Sequence, residues 1–396
     1  MTVTTLLAFE LSGSAALAGI AASASAFGAG LSAAAIGAAS RFGRRPGLVG
    51  GYLVGLTGAG LAVVSAVLGS YATMVAATFL FGASNASNLQ ARYAATDLAG
   101  PERRGSDLSV VVWATTVGAV LGPNLTGPGV AAAALLGVPQ LAGPYLLSAA
   151  GFGAAALLLA VGLRPDPLLL ARRIAREEAL AEGAAPGTSA RGGLKDGLRA
   201  VALDPSARAA VATIASAHAV MVGVMVMSPV HMGHHGADVR IIGLTISLHI
   251  FGMYAFSPIF GRLTDRLGAR TVLGLGFVQL VGAVVLSASS TPRGGIGFLA
   301  GLLLLGTGWS AALIASSALL SESLPLSSRA AAQGLSDLAM NVAGGSAGAL
   351  SGLVMTLLGF PLMAAATVLL LLGPGLLVVA DVRRQRAAGA VTPHAA

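Results

Sequence analysis

The sequence predicts an all-α polytopic membrane protein, with eleven full spans and a partial first helix arranged as two related helix bundles. Three observations predict it. Of 396 residues, 55% are hydrophobic and only 10% charged, and mean hydropathy is +0.84; a soluble domain carries about a quarter charged residues. Apolar runs recur that reach the roughly 20 residues a bilayer core requires. Once these are threaded through a bilayer, all but Arg240 and Arg293 of the 23 Lys and Arg residues fall on one side. Basic residues accumulate in cytoplasmic loops, so this alternation gives orientation as well as class.

The elements follow in order. Met1 to Ser14 is apolar at Leu6, Leu7, Ala8, Phe9 and Leu11 but too short to cross alone. It lacks the basic n-region of a signal peptide. Spans are then expected at 15–38, 46–68, 71–93, 107–128 and 142–163. Arg41, Arg44 and Arg45, then Arg103 and Arg104, mark their cytoplasmic loops. From 164 to 206 the composition turns polar. Arg172, Arg173, Arg176, Glu177, Glu178 and Glu182 lie on an amphipathic helix, and a flexible Gly/Ala/Ser/Pro stretch follows at 183–193. Asp204-Pro205 reads as an N-cap with Pro at the first helical position. Six more spans follow, at 207–230, 239–260, 271–290, 295–320, 332–357 and 360–380. The expected domains are an N-terminal bundle (1–163), a cytoplasmic linker (164–206), a C-terminal bundle (207–380) and a cytoplasmic tail (381–396). The 55 Gly, with abundant Ala and Ser, predict close helix packing.

Two cytoplasmic loops repeat. Ile36 to Arg45 reads IGAASRFGRR and Gly261 to Arg270 reads GRLTDRLGAR, so that Arg41, Gly43 and Arg45 align with Arg266, Gly268 and Arg270. Such repetition marks transporters built from related halves. The second loop, through Gly261, Asp265, Arg266, Gly268 and Arg270, resembles the G-x-L-a-D-r-x-G-r-k motif of the major facilitator superfamily. Gly118, Gly122 and Pro123 resemble the G-x-x-x-G-P motif of that superfamily's drug:proton antiporters. The resemblance implies the major facilitator fold, with two six-helix bundles around a central cavity. It also implies that Asp265 and its flanking Arg residues latch the cytoplasmic face, and that Gly118 to Pro123 form a kink sealing the interface of the half-bundles. The first loop departs from the motif at Ile36 and Ser40, and Thr78 to Gly82 lacks the arginine expected there. Thr5 to Ser12 looks like the outer end of a first helix. Either the true start lies upstream of Met1, or one cavity helix is missing.

Ionisable residues inside spans are functional hypotheses by default. His218 and His249 are expected at the bilayer midplane, about eleven residues into consecutive antiparallel spans, where imidazole suits a proton relay. A carrier role competes with a plain hydrogen bond from each ring to a neighbouring helix carbonyl. Asp337 lies about 12 Å along its helix from Arg329; it is either a proton carrier or a residue of the cytoplasmic mouth bonded to Ser336 or Asn341. Asn85 and Asn88 share a helix face in a polar cluster with Gln90 and Arg92. With Met221, Met225, Trp309 and Asn341 they are candidates to line a substrate cavity. His231, His234 and His235, with Met225 and Met227, could bind a soft metal, but a solvated loop is the expectation, so no metal site is assigned.

The absence of cysteine excludes disulfides, iron–sulfur clusters and thiolate zinc sites. No nucleotide loop or nucleophile constellation occurs, so neither an enzyme, a cofactor nor ATP-driven transport is expected. The net charge of +8 faces anionic headgroups and does not point to nucleic acid. The expected function is proton-coupled export of a small apolar or amphipathic compound by alternating access. The protein should act as a monomer in a bacterial-type cell membrane, with substrate, protons and lipid as its partners. Two alternatives stand beside it: an uptake symporter for a small metabolite, and a non-transporting scaffold or truncated remnant.

Overall fold

The computed structural model describes residues 2–181, 193–291 and 295–391. Apart from Gly193, the Gly/Ala/Ser/Pro stretch lies outside the described residues, as does Arg293. In chain order the helices are α1 (Thr2–Ser12), α2 (Ala15–Ala39), α3 (Arg44–Leu68), α4 (Tyr71–Thr96), α5 (Arg104–Asn124), α6 (Thr126–Leu135), α7 (Gly143–Gly162), α8 (Pro167–Ala181), α9 (Leu194–Leu203), α10 (Pro205–His234), α11 (Val239–Tyr254), α12 (Ser257–Leu267), α13 (Ala269–Ser289), α14 (Ile296–Ser323) and α15 (Leu326–Val391). No strand occurs among the described residues.

Every expected span is mostly helical. Eight stretches are long and apolar enough to cross a membrane, and the last, Leu326–Ala387, has length for two crossings. These stretches contain all the expected spans except 71–93 and 107–128. Span 71–93 lies in α4, whereas 107–128 is not one helix: it runs through α5, is interrupted at Leu125 and ends in α6. The expected cap is present: the Asp204 carboxylate accepts the Ala207 N–H at 2.7 Å, with Pro205 opening α10.

Three further expectations need correction. Span 239–260 is broken into α11 and α12, because Pro258 cannot donate to the Tyr254 carbonyl four residues back; the Ser257 hydroxyl donates to that carbonyl instead, at 2.6 Å. Residues 231–234 belong to α10 and not to an outer loop, and the His231 ring stacks on Phe360 at 4.2 Å between centroids. The tail from 381 continues α15 as helix to Val391, while the expected break between the last two spans is kept at Gly359 (φ 75°).

The chain forms two compact units. The first comprises 1–98, 117–197 and 326–345. Within it α4 packs on α2 and α3, and α3 on α7. Glycines carry these contacts: a Cβ on Gly82 would lie 2.6 Å from Ala29 N, and one on Gly55 2.6 Å from Ser84 Cβ. The apolar head is part of the packing, with Leu7 and Ala8 buried against Ala18, Ala62, Met74 and Tyr145. The second unit comprises 99–116, 198–325 and 346–396. Its centre is α14, whose apolar window is 78% buried beneath α10, α11 and α13. The repeated loops share their turn as well as their sequence. Gly43 (φ 106°) and Gly268 (φ 83°) each adopt a backbone conformation that a side chain would strain, immediately before the next helix begins.

Candidate functional site

The most charged buried cluster among the described residues lies in the first unit, where α4 meets the start of α3 and the first turns of α15. Arg92 of α4 donates from Nη2 to Asp337 Oδ1 at 2.6 Å and to the Tyr93 hydroxyl at 3.0 Å, and from Nη1 to the Leu89 carbonyl. The paired side chains are 1% and 0% exposed. Asp337 Oδ2 is buried without a hydrogen-bond partner among the described residues. Alongside, Arg44 grips Asp97 with two parallel bonds, Nε to Oδ2 at 2.7 Å and Nη2 to Oδ1 at 3.0 Å, and also reaches Gln333 Oε1 at 2.5 Å. Backbones close the gap, since a Cβ on Gly37 would sit 2.9 Å from Gly334 Cα. Two buried guanidinium–carboxylate pairs therefore tie α3 and α4 to each other and to α15.

Sequence reasoning singled out Asp337 but left Arg92 among neutral amides. A usable signal was present: charges of opposite sign, each near the cytoplasmic end of its span, are expected to meet. The bond to Asn341 exists in another form, as its Nδ2 donates to the Asp337 main-chain carbonyl at 2.8 Å.

The two loop motifs are held differently. Asp265 does not pair with its flanking arginines. It caps α5, accepting Gly105 N–H at 2.7 Å, Ser106 N–H at 2.8 Å and the Ser106 hydroxyl at 2.5 Å. Arg266 and Gly268 are exposed, Gly261 is buried against Gly105 and Ser109, and Arg270 pairs with Asp381 at 2.7 Å and donates to Ser206 at 3.0 Å. The first loop, whose acid is replaced by Ser40, borrows one from the linker. Asp166 accepts Arg45 N–H at 2.8 Å while its other oxygen caps α8 through Leu168 and Leu169. Asp265→Ala should destabilise the protein by about 2 kcal/mol through loss of a charged helix cap. Thermal unfolding in detergent checks this, and a melting temperature equal to wild type would contradict the capping role.

The other candidates separate. His218 and His249 are not brought together. His249 is buried, with Nδ1 2.9 Å from the Leu302 carbonyl, the plain bond weighed against a relay. His218 Nδ1 accepts the Trp309 indole N–H at 2.9 Å. Trp309 and Met221 are buried, and Met225 and Asn341 half-buried. Asn85 and Asn88 are exposed on the face of α4 away from its buried Ser84, Ser87 and Gln90. A Cβ on Gly118 or Gly122 would meet nothing within 4 Å among the described residues. The Pro123 side chain lies outside the described residues.

The family model described as Major Facilitator Superfamily matches residues 1–240 and 209–395. YddS of Bacillus subtilis (strain 168), an uncharacterized MFS-type transporter, is 40% identical over 358 residues, covering 90% of this chain and 80% of that protein. The riboflavin transporter RfnT of Brucella anthropi is 28% identical over 306 residues, covering 76% and 70%. The fold is also similar to that of the Escherichia coli fucose:proton symporter FucP, with a TM-score of 0.72 at 14% identity, covering 95% of this chain and 93% of that one. The chain belongs to the Major Facilitator Superfamily, and it is an integral multi-pass membrane transporter, not an enzyme.

Proposed function

We propose that the protein is a monomeric, proton-coupled exporter of small apolar or amphipathic compounds that works by alternating access, with Asp337 as the coupled carboxyl and Arg92 as its counter-ion. One observation carries the reading: a fully buried ion pair in which one carboxylate oxygen lacks a partner. A proton taken up on Oδ2 would remove the charge that holds Arg92. The arginine would then be left in a medium that penalises an isolated charge, which favours a rearrangement separating α4 from α15. Loss of the proton would restore the pair. The Arg44–Asp97 pair, with both oxygens bound by one guanidinium, has no such vacancy and serves as the fixed part of the cluster. His218 and His249 each bond through Nδ1, His249 keeping a buried Nε2 without a partner among the described residues, and this reading assigns neither as the carrier. Export is supported by the Gly118 to Pro123 motif.

The test is efflux of Nile red, a neutral lipophilic dye, from cells expressing the chain, with and without a protonophore. Protonophore-sensitive efflux is expected and is lost in Asp337→Asn; in His218→Ala and His249→Ala whatever efflux remains, at any rate, should stay protonophore-sensitive. Energy-independent exchange of preloaded dye should survive in Asp337→Asn, which separates uncoupling from misfolding. Efflux indifferent to the protonophore, or an Asp337→Asn variant that still pumps, overturns the proposal.

A second reading is uptake of a small metabolite, favoured by the likeness to a riboflavin transporter. It predicts protonophore-sensitive accumulation of labelled riboflavin, and no dye efflux.

A further inference from the structure

Three aromatic residues of the second unit form an arrangement that proton coupling does not use. Trp309 of α14 is 2% exposed, yet its indole N–H is satisfied by His218 Nδ1 of α10 at 2.9 Å. Tyr254, the last residue of α11, meets the same indole edge-to-face, with centroids 5.9 Å apart and planes at 85°. The Pro258 break ends α11 at this residue. The buried indole thus has an imidazole on one partner helix and a phenol on another, and both of these are half-buried.

The indole contact decides the chemistry of the imidazole. An indole N–H only donates, so His218 Nδ1 must be the bare nitrogen and the neutral ring carries its hydrogen on Nε2. The other tautomer, or a doubly protonated ring, would set N–H against N–H and lose the bond. His218 is therefore held as a donor through Nε2. The Tyr254 hydroxyl makes no hydrogen bond among the described residues and has its hydrogen free to donate as well. The stretches 210–226, 247–261 and 301–317, which carry the three residues, contain no Asp, Glu, Lys or Arg. Buried Met221 and Met253 lie beside His218 and Tyr254 in sequence, and thioethers adapt to varied aromatic shapes. Two donors over aromatic rings, without a fixed charge, suit a planar ring system bearing a neutral acceptor.

We propose that His218 and Tyr254, held by Trp309 as a positioning residue, form a donor wall that selects neutral, planar aromatic compounds carrying a carbonyl oxygen. This names a substrate class for the transporter and rests on the reading that it carries small, largely apolar molecules.

The test compares acridone, a neutral planar fluorophore with one ring carbonyl, with its carbonyl-free analogue 9,10-dihydroacridine. Binding is measured on the full chain in lipid nanodiscs, with empty nanodiscs subtracted. Wild type should prefer acridone about tenfold, the scale of one or two neutral hydrogen bonds. His218→Phe and Tyr254→Phe should each reduce that preference several-fold while leaving dihydroacridine affinity unchanged, which also shows that the variants fold. Trp309→Phe keeps the ring but releases the tautomer, so it should lower the preference without weakening dihydroacridine; a packing role alone would weaken both ligands together. Equal affinity of wild type for the two compounds, or a preference that survives in His218→Phe/Tyr254→Phe, overturns the proposal. So does failure to bind acridone, a result that leaves the exporter reading to stand or fall on Nile red efflux.

Discussion

Arg92→Ala is expected to cost about 3–5 kcal/mol of stability, because it leaves a buried carboxylate without compensation. Asp337 is 0% exposed and Arg92 supplies its side chain's ion pair, so truncation of the arginine removes the attraction but not the cost of burial. Arg92→Lys should be only a partial rescue: a single ammonium cannot serve Asp337, the Tyr93 hydroxyl and the Leu89 carbonyl from a planar fork. The double change Arg92→Met/Asp337→Leu removes both charges and should recover most of the lost stability, since apolar side chains of similar size commonly replace a buried pair without penalty. If the proposed coupling is right, that stable double variant still fails to pump uphill. Thermal unfolding in detergent and Nile red efflux, measured on the same preparations, separate the two effects. A melting temperature for Arg92→Ala equal to wild type would refute the structural half of this prediction, and uphill pumping by the double variant the functional half.

Gly82→Val should be comparably damaging for a steric reason. A Cβ at that position would sit 2.6 Å from Ala29 N and closer still to the Ser25 carbonyl, while on the facing helix a Cβ on Gly28 would run into the Phe79 carbonyl. These obstacles are backbone and cannot turn aside, so α2 and α4 would have to part. Parting them pulls Gln90, which donates to the Ala33 carbonyl at 2.8 Å, away from its acceptor. A loss of at least about 3 kcal/mol is expected, the upper range for an overpacked contact. Gly60→Val is the matched control. It is an exposed position on α3 where a Cβ meets nothing within 4 Å, and it should be tolerated. Equal expression and melting of the two valine variants would show that the α2–α4 contact yields more easily than its geometry implies.

Much of the fold was legible in the sequence because bilayer thickness and basic loops act locally. Span positions, the Asp204 cap and the shared turn at Gly43 and Gly268 all depend on a few neighbouring residues. The break at Pro258 was also available to a local reading, since proline removes a bond within one turn; the apolar run around it concealed the interruption. The pairs were harder. Asp337 was singled out as a lone buried acid, and its partner stands 245 positions away. Arg92 lies in a helix whose Asn, Gln and Ser residues drew attention to a cavity instead. The loss of the acid at Ser40 could be seen, but its replacement by Asp166 could not, because nothing local links the linker to the first loop. The His218–Trp309 bond was hidden for the same reason: each residue was noted, one for protons and one for substrate, and only the fold joins them.

The polarity of α4 also bears on how the chain is made. Arginine in an inserting helix costs at most about 2.5–3.5 kcal/mol on the translocon scale, the value at the helix centre; Arg92 stands nearer the end of α4, but α4 is also too polar to count among the strongly apolar stretches. It must therefore enter the membrane alongside helices already made. Arg44 and Asp97 lie 53 positions apart and both emerge with the first helices. Arg92 must wait for Asp337, which at about 5–20 residues per second arrives about 12–50 s later. For that interval the ribosome-bound chain holds an arginine whose counter-ion has yet to be synthesised. Completion of the last helix pair is thus the step that makes the first half of the molecule electrically whole.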